Sequence, residues 1–417
     1  MKRRFSPWLL GMVWNLCAAD TTLTTRLALT GSVIYAEPGQ PGYRHTDLDS
    51  AQSSGDPFSL LTQDQQSVRW ILSSRTDAHE WVVHGKLART RQEAEGLAVE
   101  SAHRWVSLEA DIFHQRGVEE ETLVHVWLDQ GYWRFQGADY SLTFGRQPID
   151  YGAGRLWQPL NAYGAFQPTD LDRAYKPGVD ALVGEYFLSP FSSLQAAVVL
   201  GDKTVSGTLK YQGLVARDWN LNLLGGSVQD IPLLGASLEG QWQGMGWRAE
   251  LTRYFGGREW AEAAERVSTA DWFSVLGVDY LFSGWGGDSG LMVVAEWYHH
   301  TGGARQQGDL AAVPLQPLYQ AGMMPQLSQD VLGVLWETSL SPLITGSYLL
   351  LVSPLERPDH EIQVSTLHQA SVRISTGNDS EATVSLLLGE GKKGGIAPVS
   401  AFGSVPARLT VQWAGYF

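Results

Sequence analysis

From residue 20 onward the commonest pattern is an alternation of apolar and polar residues kept up over about nine to twelve positions, which gives a strand one greasy and one wet face. In Trp247 to Phe255, Trp247, Ala249, Leu251 and Phe255 alternate with Arg248, Glu250, Thr252 and Tyr254. In Tyr140 to Gln147, Tyr140, Leu142 and Phe144 share one face. A soluble sandwich alternates as well, but its strands average about five or six residues, whereas a strand crossing a bilayer at a tilt needs about nine to eleven. The runs here are of the longer kind. No run of eighteen apolar residues follows the first segment, so any crossing of hydrocarbon has to be made by strands.

Tight polar turns at 137–139, 243–246 and 377–379 alternate with longer loops at 301–326, 354–363 and 390–406, the asymmetry of a barrel with short turns on one side and long loops on the other. Nineteen candidate strands begin near residues 22, 67, 79, 103, 123, 140, 178, 193, 205, 219, 232, 246, 272, 290, 327, 344, 364, 380 and 407. A barrel whose ends lie on one side needs an even number. The expectation is an all-β, transmembrane, antiparallel up-and-down β-barrel of about 18 strands (range about 16–20). The first two segments and the mixed run 123–136 carry the poorest alternation, so the surplus strand is expected among them.

Residues 1–19 read as a secretory leader, with Lys2, Arg3 and Arg4, an apolar stretch from Pro7 to Leu16, and small residues Cys17, Ala18 and Ala19. A lipid-attachment role for Cys17 wants a small residue where Leu16 stands. Residues 20–417 would then form a single barrel domain. Without the leader the chain holds 27 basic against 44 acidic residues, net −17, and no cysteine. Phosphate backbones need a basic footprint, which argues against nucleic acid. The acidic balance points to cations, and the lack of disulfides to stability from hydrogen bonding or a large core.

In hydrocarbon an unpaired amide costs several kcal/mol, so a spanning sheet must close on itself. Eighteen strands enclose a space too wide for side chains to fill, and the seventeen Trp and fifteen Tyr suit the two lipid–water interfaces. At the end of the chain, Leu409, Val411, Trp413, Gly415 and Phe417 alternate with Arg408, Thr410, Gln412, Ala414 and Tyr416. This resembles the closing strand of Gram-negative outer-membrane barrels, whose aromatic end is read by the insertion machinery. The resemblance implies outer-membrane lipid and, through Phe417, the barrel-assembly machinery as partners.

The stretch GRQPIDYGAGRLWQP, Gly145 to Pro159, interrupts the alternation. It fails as a phosphate loop because the glycine pattern breaks at its last position and prolines follow. No Ser, Cys or His lies between Gln147 and Thr169, leaving only a carboxylate enzyme built on Asp150, Asp170 or Asp172. The remaining reading is a long loop, 147–177, braced by prolines 148, 159, 168 and 177. Loops of this length are usually functional or disordered. Folding into the lumen would account for the bracing and for the balance of Asp150, Asp170 and Asp172 against Arg155, Arg173 and Lys176; a structured loop packed over the outer rim is the other reading. Those six residues are the candidates for a pore constriction.

GRQPIDYG, RLWQP and PTDLDRAYKPGVDAL together resemble uncharacterised porin-like outer-membrane barrels, clearly over Tyr140 to Tyr186, with Tyr151 where a Trp is expected. The resemblance implies a barrel and a pore, with no substrate attached. Elsewhere, HEWVVH at His79 to His84 imitates a zinc motif, but its histidines are five apart and in a strand face opposite sides. His299 and His300 do the same. No catalytic, cofactor-binding or metal-binding set is read from the chain. The expected function is an outer-membrane, porin-like channel for passive diffusion of small hydrophilic solutes or ions in a Gram-negative bacterium, with a homo-oligomer or a complex partner left open. The alternatives are a barrel that sheathes or exports for a larger complex (an electron-transfer conduit or polymer export), and an outer-membrane enzyme.

Overall fold

A computed structural model describes residues 20–37, 40, 58–93, 109–117, 120–164, 166–202, 204–255, 270–285, 290–320, 322–393 and 399–417. The expected leader, residues 1–19, lies outside the described residues. Nineteen strands occur among them, in one antiparallel sheet. They are β1 (Asp20–Ala36), β2 (Ser59–Arg75), β3 (His79–Gln92), β4 (Glu109–Arg116), β5 (Glu121–Gln136), β6 (Tyr140–Gln147), β7 (Val179–Ser189), β8 (Ser192–Leu200), β9 (Val205–Ala216) and β10 (Trp219–Val228). The second half holds β11 (Ile231–Trp242), β12 (Met245–Phe255), β13 (Ala270–Phe282), β14 (Leu291–His300), β15 (Asp330–Ser341), β16 (Ile344–Glu356), β17 (Ile362–Gly377), β18 (Ser380–Glu390) and β19 (Ala407–Tyr416).

Eighteen of them form a closed up-and-down ring, sealed where β19 pairs with β1 from Arg26↔Tyr416 to Tyr35↔Ala407. The surplus strand is β4, which begins at Glu109, and not one of the three weak runs; the start expected near 103 lies outside the described residues. β3 passes its register straight to β5, from His79↔Phe135 to Gln92↔Glu121. β4 covers only the Glu121–Trp127 part of β5, on the edge whose other part, Gly131–Gln136, is taken by the short β6. The three weak runs are full staves, β1 and β2 of 17 residues and β5 of 16. The mixed appearance of 123–136 has a local cause: His84 faces Gln130 and Gly85 faces Leu128, so Asp129 is an extra residue, and a bulge of this kind shifts the phase of the alternation.

Both chain ends of the ring meet at one rim, where the Thr25 N–H donates to the Phe417 carbonyl (2.9 Å) and the Phe417 N–H to that of Thr25 (2.8 Å). That rim carries the short turns at 76–78, 137–139, 243–244 and 378–379, while the opposite rim carries the connections 148–178, 301–329 and 391–406. The outward faces are apolar: Leu182, Val198, Leu209, Leu223, Leu234 and Leu251 are all exposed. Aromatic pairs Trp242–Trp247 (6.3 Å) and Tyr280–Phe282 (4.7 Å) sit on strands beside the short-turn rim, where rings with a polar tip suit an interface. Inward positions are polar and buried, among them Thr208, Ser237, Thr252 and Thr410. This apolar-out, polar-in ring is the design of outer-membrane barrels.

A hydrophobic core lies against one side of the interior. It joins Tyr151, Leu156, Trp157, Leu160 and Tyr163 of the β6–β7 connection to inward residues of β7, β8 and β10 to β17, and to Leu310, Val313, Leu318 and Met324 of the β14–β15 connection. Sequence reading assigned 301–326 to an outer loop. Its buried apolar residues show that this segment packs as well.

Candidate functional site

The β6–β7 connection is fixed at its two ends by the residues of the GRQ and GVDAL stretches. Arg146 faces Asp180 across the β6–β7 pair and binds it with two parallel bonds, 2.9 and 2.7 Å, a fork geometry that fixes orientation as well as distance. Arg146 also donates to the Leu128 carbonyl (3.2 Å), and the Gln147 amide to the carbonyls of Thr143 and Ala181 (3.2 Å each). Gly145 has φ +117°, and a Cβ there would meet the Gly131 carbonyl at 2.3 Å, so only glycine fits.

Between these ends the connection runs against inward-facing side chains of strands on opposite sides of the ring. Its first half meets β9 to β15. The Tyr151 and Thr208 hydroxyls lie 3.0 Å apart, and the Tyr163 hydroxyl donates to the same threonine (3.3 Å). Trp157, 1% exposed, packs 5.4 Å from the Tyr298 ring of β14. Backbone N–H groups of 153–160 donate to Glu250 of β12 and Glu296 of β14. Burial pushes the Tyr151 hydroxyl up to about 12 against the pull of its bond to Thr208, so the ring stays neutral and acts as a hydrogen-bonding wedge.

The second half meets β1, β2, β5 and β17 and is charged. Arg26 of β1 donates to Asp172 at 2.6 Å. Tyr175 lies under two guanidinium groups, 5.5 Å from that of Arg26 and 4.5 Å from that of Arg69 of β2, a cation–π arrangement. Arg69 in turn pairs with Asp129, the bulged residue of β5. Gln369 of β17 donates to the Thr169 carbonyl (3.0 Å). Burial opposes ionisation of Asp172, and the bond and charge of Arg26 outweigh it, so its carboxyl lies below the ordinary range.

The six candidate residues do not form one ring. Asp150 lies 3.4 Å from the Lys176 ammonium and accepts from the Asn161 amide (2.8 Å). Burial lowers the Lys176 ammonium, against Asp150. Asp172 is taken by Arg26. Arg173 donates to the carbonyls of Gln167 (2.9 Å) and Pro168 (2.6 Å), while Asp170 accepts from the Gln167 N–H (2.7 Å), so both stabilise their own turn. Arg155, half exposed, stands 3.9 Å from Asp279, which also pairs with Arg248.

Sequence reading missed the wall residues that meet the loop. Arg26 faces Arg69, and Arg69 faces Lys86 of β3, as direct cross-strand partners, so three cations form a row across β1 to β3. Their sequence separation hides this; the available signal was their place on the polar face of each alternation. His79 and His84 lie at different surfaces, His79 5.7 Å from Trp133 and His84 5.9 Å from Tyr175 of the loop. His300 is buried, stacked 5.4 Å from Phe273, and His299 bonds Asp330 at 2.9 Å.

No protein-family model matches the chain, and no curated protein does. The fold is similar to that of solved barrels. OccAB1 of Acinetobacter baumannii matches with a TM-score of 0.55 at 8% identity, over 95% of this chain and 96% of that one. The outer membrane protein OprD of Pseudomonas aeruginosa matches at 0.54 and 8%, over 96% and 94%. OpdK of the same organism, solved with vanillate, matches at 0.52 and 9%, over 95% and 98%. The chain therefore shares the fold of these outer-membrane barrels along nearly its whole length.

Proposed function

We propose that the chain is an outer-membrane channel passing small hydrophilic solutes by diffusion, and that the 148–178 connection lies across its lumen and sets the constriction. The observation that carries this reading is that the connection bonds to inward side chains on opposite walls, to Asp172's partner Arg26 on β1 and to Glu250 and Glu296 on β12 and β14. A barrel of this strand number leaves an aqueous passage, and what remains open beside the loop decides what passes. The acidic balance of residues 20–417 pointed to cations, but in this half Arg26 and Arg69 are paired with Asp172 and Asp129, and Lys86, which makes no ion pair among the described residues, is the cation of the row left to draw a small anion, of the kind of the vanillate found with OpdK. β19, ending beside Phe417, is the strand offered to the assembly machinery.

Purified protein in a planar bilayer should give discrete conductance steps. Across a salt gradient, Arg69→Gln with Lys86→Gln should move the reversal potential toward cations. A folded protein that inserts and never conducts would leave the sheath or export reading instead.

A further inference from the structure

The first half of the loop is held by two carboxylates that form no ion pair among the described residues. Glu250 takes the N–H groups of Ala153 and Gly154 (2.6 Å to the latter) on Oε1 and that of Leu160 (3.1 Å) on Oε2. Glu296 takes Arg155 (2.6 Å) on Oε1, and Leu156 (2.8 Å) and Trp157 (3.2 Å) on Oε2. Six backbone donors from eight consecutive residues thus converge on two carboxyl groups, a nest of backbone N–H groups. Both glutamates are buried, 2% and 0% exposed.

The wall is also shaped for this segment. A Cβ at Gly235 of β11 would come within 2.7 Å of Leu160, and one at Gly333 of β15 within 2.6 Å of Leu156 and 2.7 Å of Trp157. On β13, between the two glutamate strands, a Cβ at Gly277 would lie 2.8 Å from the Glu296 Cγ. Glycine weakens a strand interior and marks close approach of another group; here Gly235 and Gly333 stand against the segment itself and Gly277, on the strand between the two glutamate strands, makes room for Glu296. Gly154 itself leaves no room, since its Cβ would meet the Trp157 carbonyl at 1.9 Å.

We propose that Glu250 and Glu296 are positioning residues that set the width of the passage, by latching residues 153–160 against the β11–β15 wall. The proposal rests on the channel reading, and its test separates the two. In a Cys17→Ser background, Leu160→Cys places a reporter thiol in the latched segment. With both glutamates intact this thiol should react slowly with a water-soluble maleimide; with Glu250→Gln and Glu296→Gln together it should react at least about tenfold faster, because each amide turns a donor toward backbone N–H groups. The same double variant, without the reporter, should show larger and noisier single-channel currents and admit larger uncharged solutes. Heat-modifiable gel mobility reports that the barrel is folded, and Glu361→Gln at the exposed 357–361 turn is the control. If the double variant does not fold, the two single variants, each keeping three of the six bonds, carry both readouts. Unchanged labelling overturns the latch. Faster labelling with unchanged conductance in a conducting channel overturns its control of width. Faster labelling in a barrel that never conducts leaves the latch standing and removes the channel.

Discussion

The two halves of the β6–β7 connection are held by different chemistry. Residues 151–163 dock through aromatic and aliphatic side chains and through carboxylates buried behind them. Residues 166–177 dock through Arg26–Asp172, Asp150–Lys176 and the stacking of Tyr175, with Asp172 about a third and Asp150 more than half exposed. Buried apolar contact does not respond to salt, whereas partly exposed ion pairs are screened. The first half is therefore built as a fixture, and the second as the part that solvent, salt and solute can adjust.

The largest effect should come from removing the anchor of the fixture. Trp157→Ala should cost about 3–5 kcal/mol of docking, seen as faster hydrogen exchange at 153–160 by roughly two orders of magnitude or more, with exchange in β1 to β3 unchanged. Equal loosening of both halves would break the distinction. Next, Gly333→Ala should loosen the fixture by about 1–3 kcal/mol, since the added carbon would overlap Leu156 and Trp157. Gly207→Ala, with nothing within 4 Å of its Cβ, should instead be neutral or stabilise by roughly 0.5–1 kcal/mol; melting midpoints and exchange together sort the two. The smallest effect belongs to the adjustable half. Because Asp172 has its carboxyl lowered in the folded protein, its contribution is whole above the unfolded value of about 3.9 and disappears as pH falls through the lower folded one. Labelling of a cysteine at 169 should therefore rise only below about pH 4, and at neutral pH should rise modestly with salt. A rise already complete at pH 5 would show that Arg26 does not hold Asp172.

Much of the wall was legible because its pattern is local. Alternation placed seventeen strand starts to within about three residues, but β2 begins at Ser59 rather than near 67 and β4 at Glu109 rather than near 103, and the surplus strand was misplaced because the bulge at Asp129 breaks the phase of a genuine stave. The loop's charged residues were legible by type. Their partners were not, since Glu250 is 96 residues from Gly154 and Arg26 is 146 from Asp172, and only the curvature of the closed sheet brings them together. Glu250 was visible merely as one polar position opposite Trp247. The packing of 301–329 was hidden because its apolar residues, Leu310, Val313 and Leu318, follow no strand period.

The seam between β1 and β19 joins the earliest strand of the ring to its last, in ten matched residue pairs. A polypeptide halted before Ala407 would be an unrolled ribbon with bare edges on both flanks, the shape most prone to stick to other strands. Contacts this remote in sequence form slowly, so the cylinder cannot close until the stretch Ala407–Tyr416 has been made and has found β1, and until then both flanks of the sheet stay unpaired.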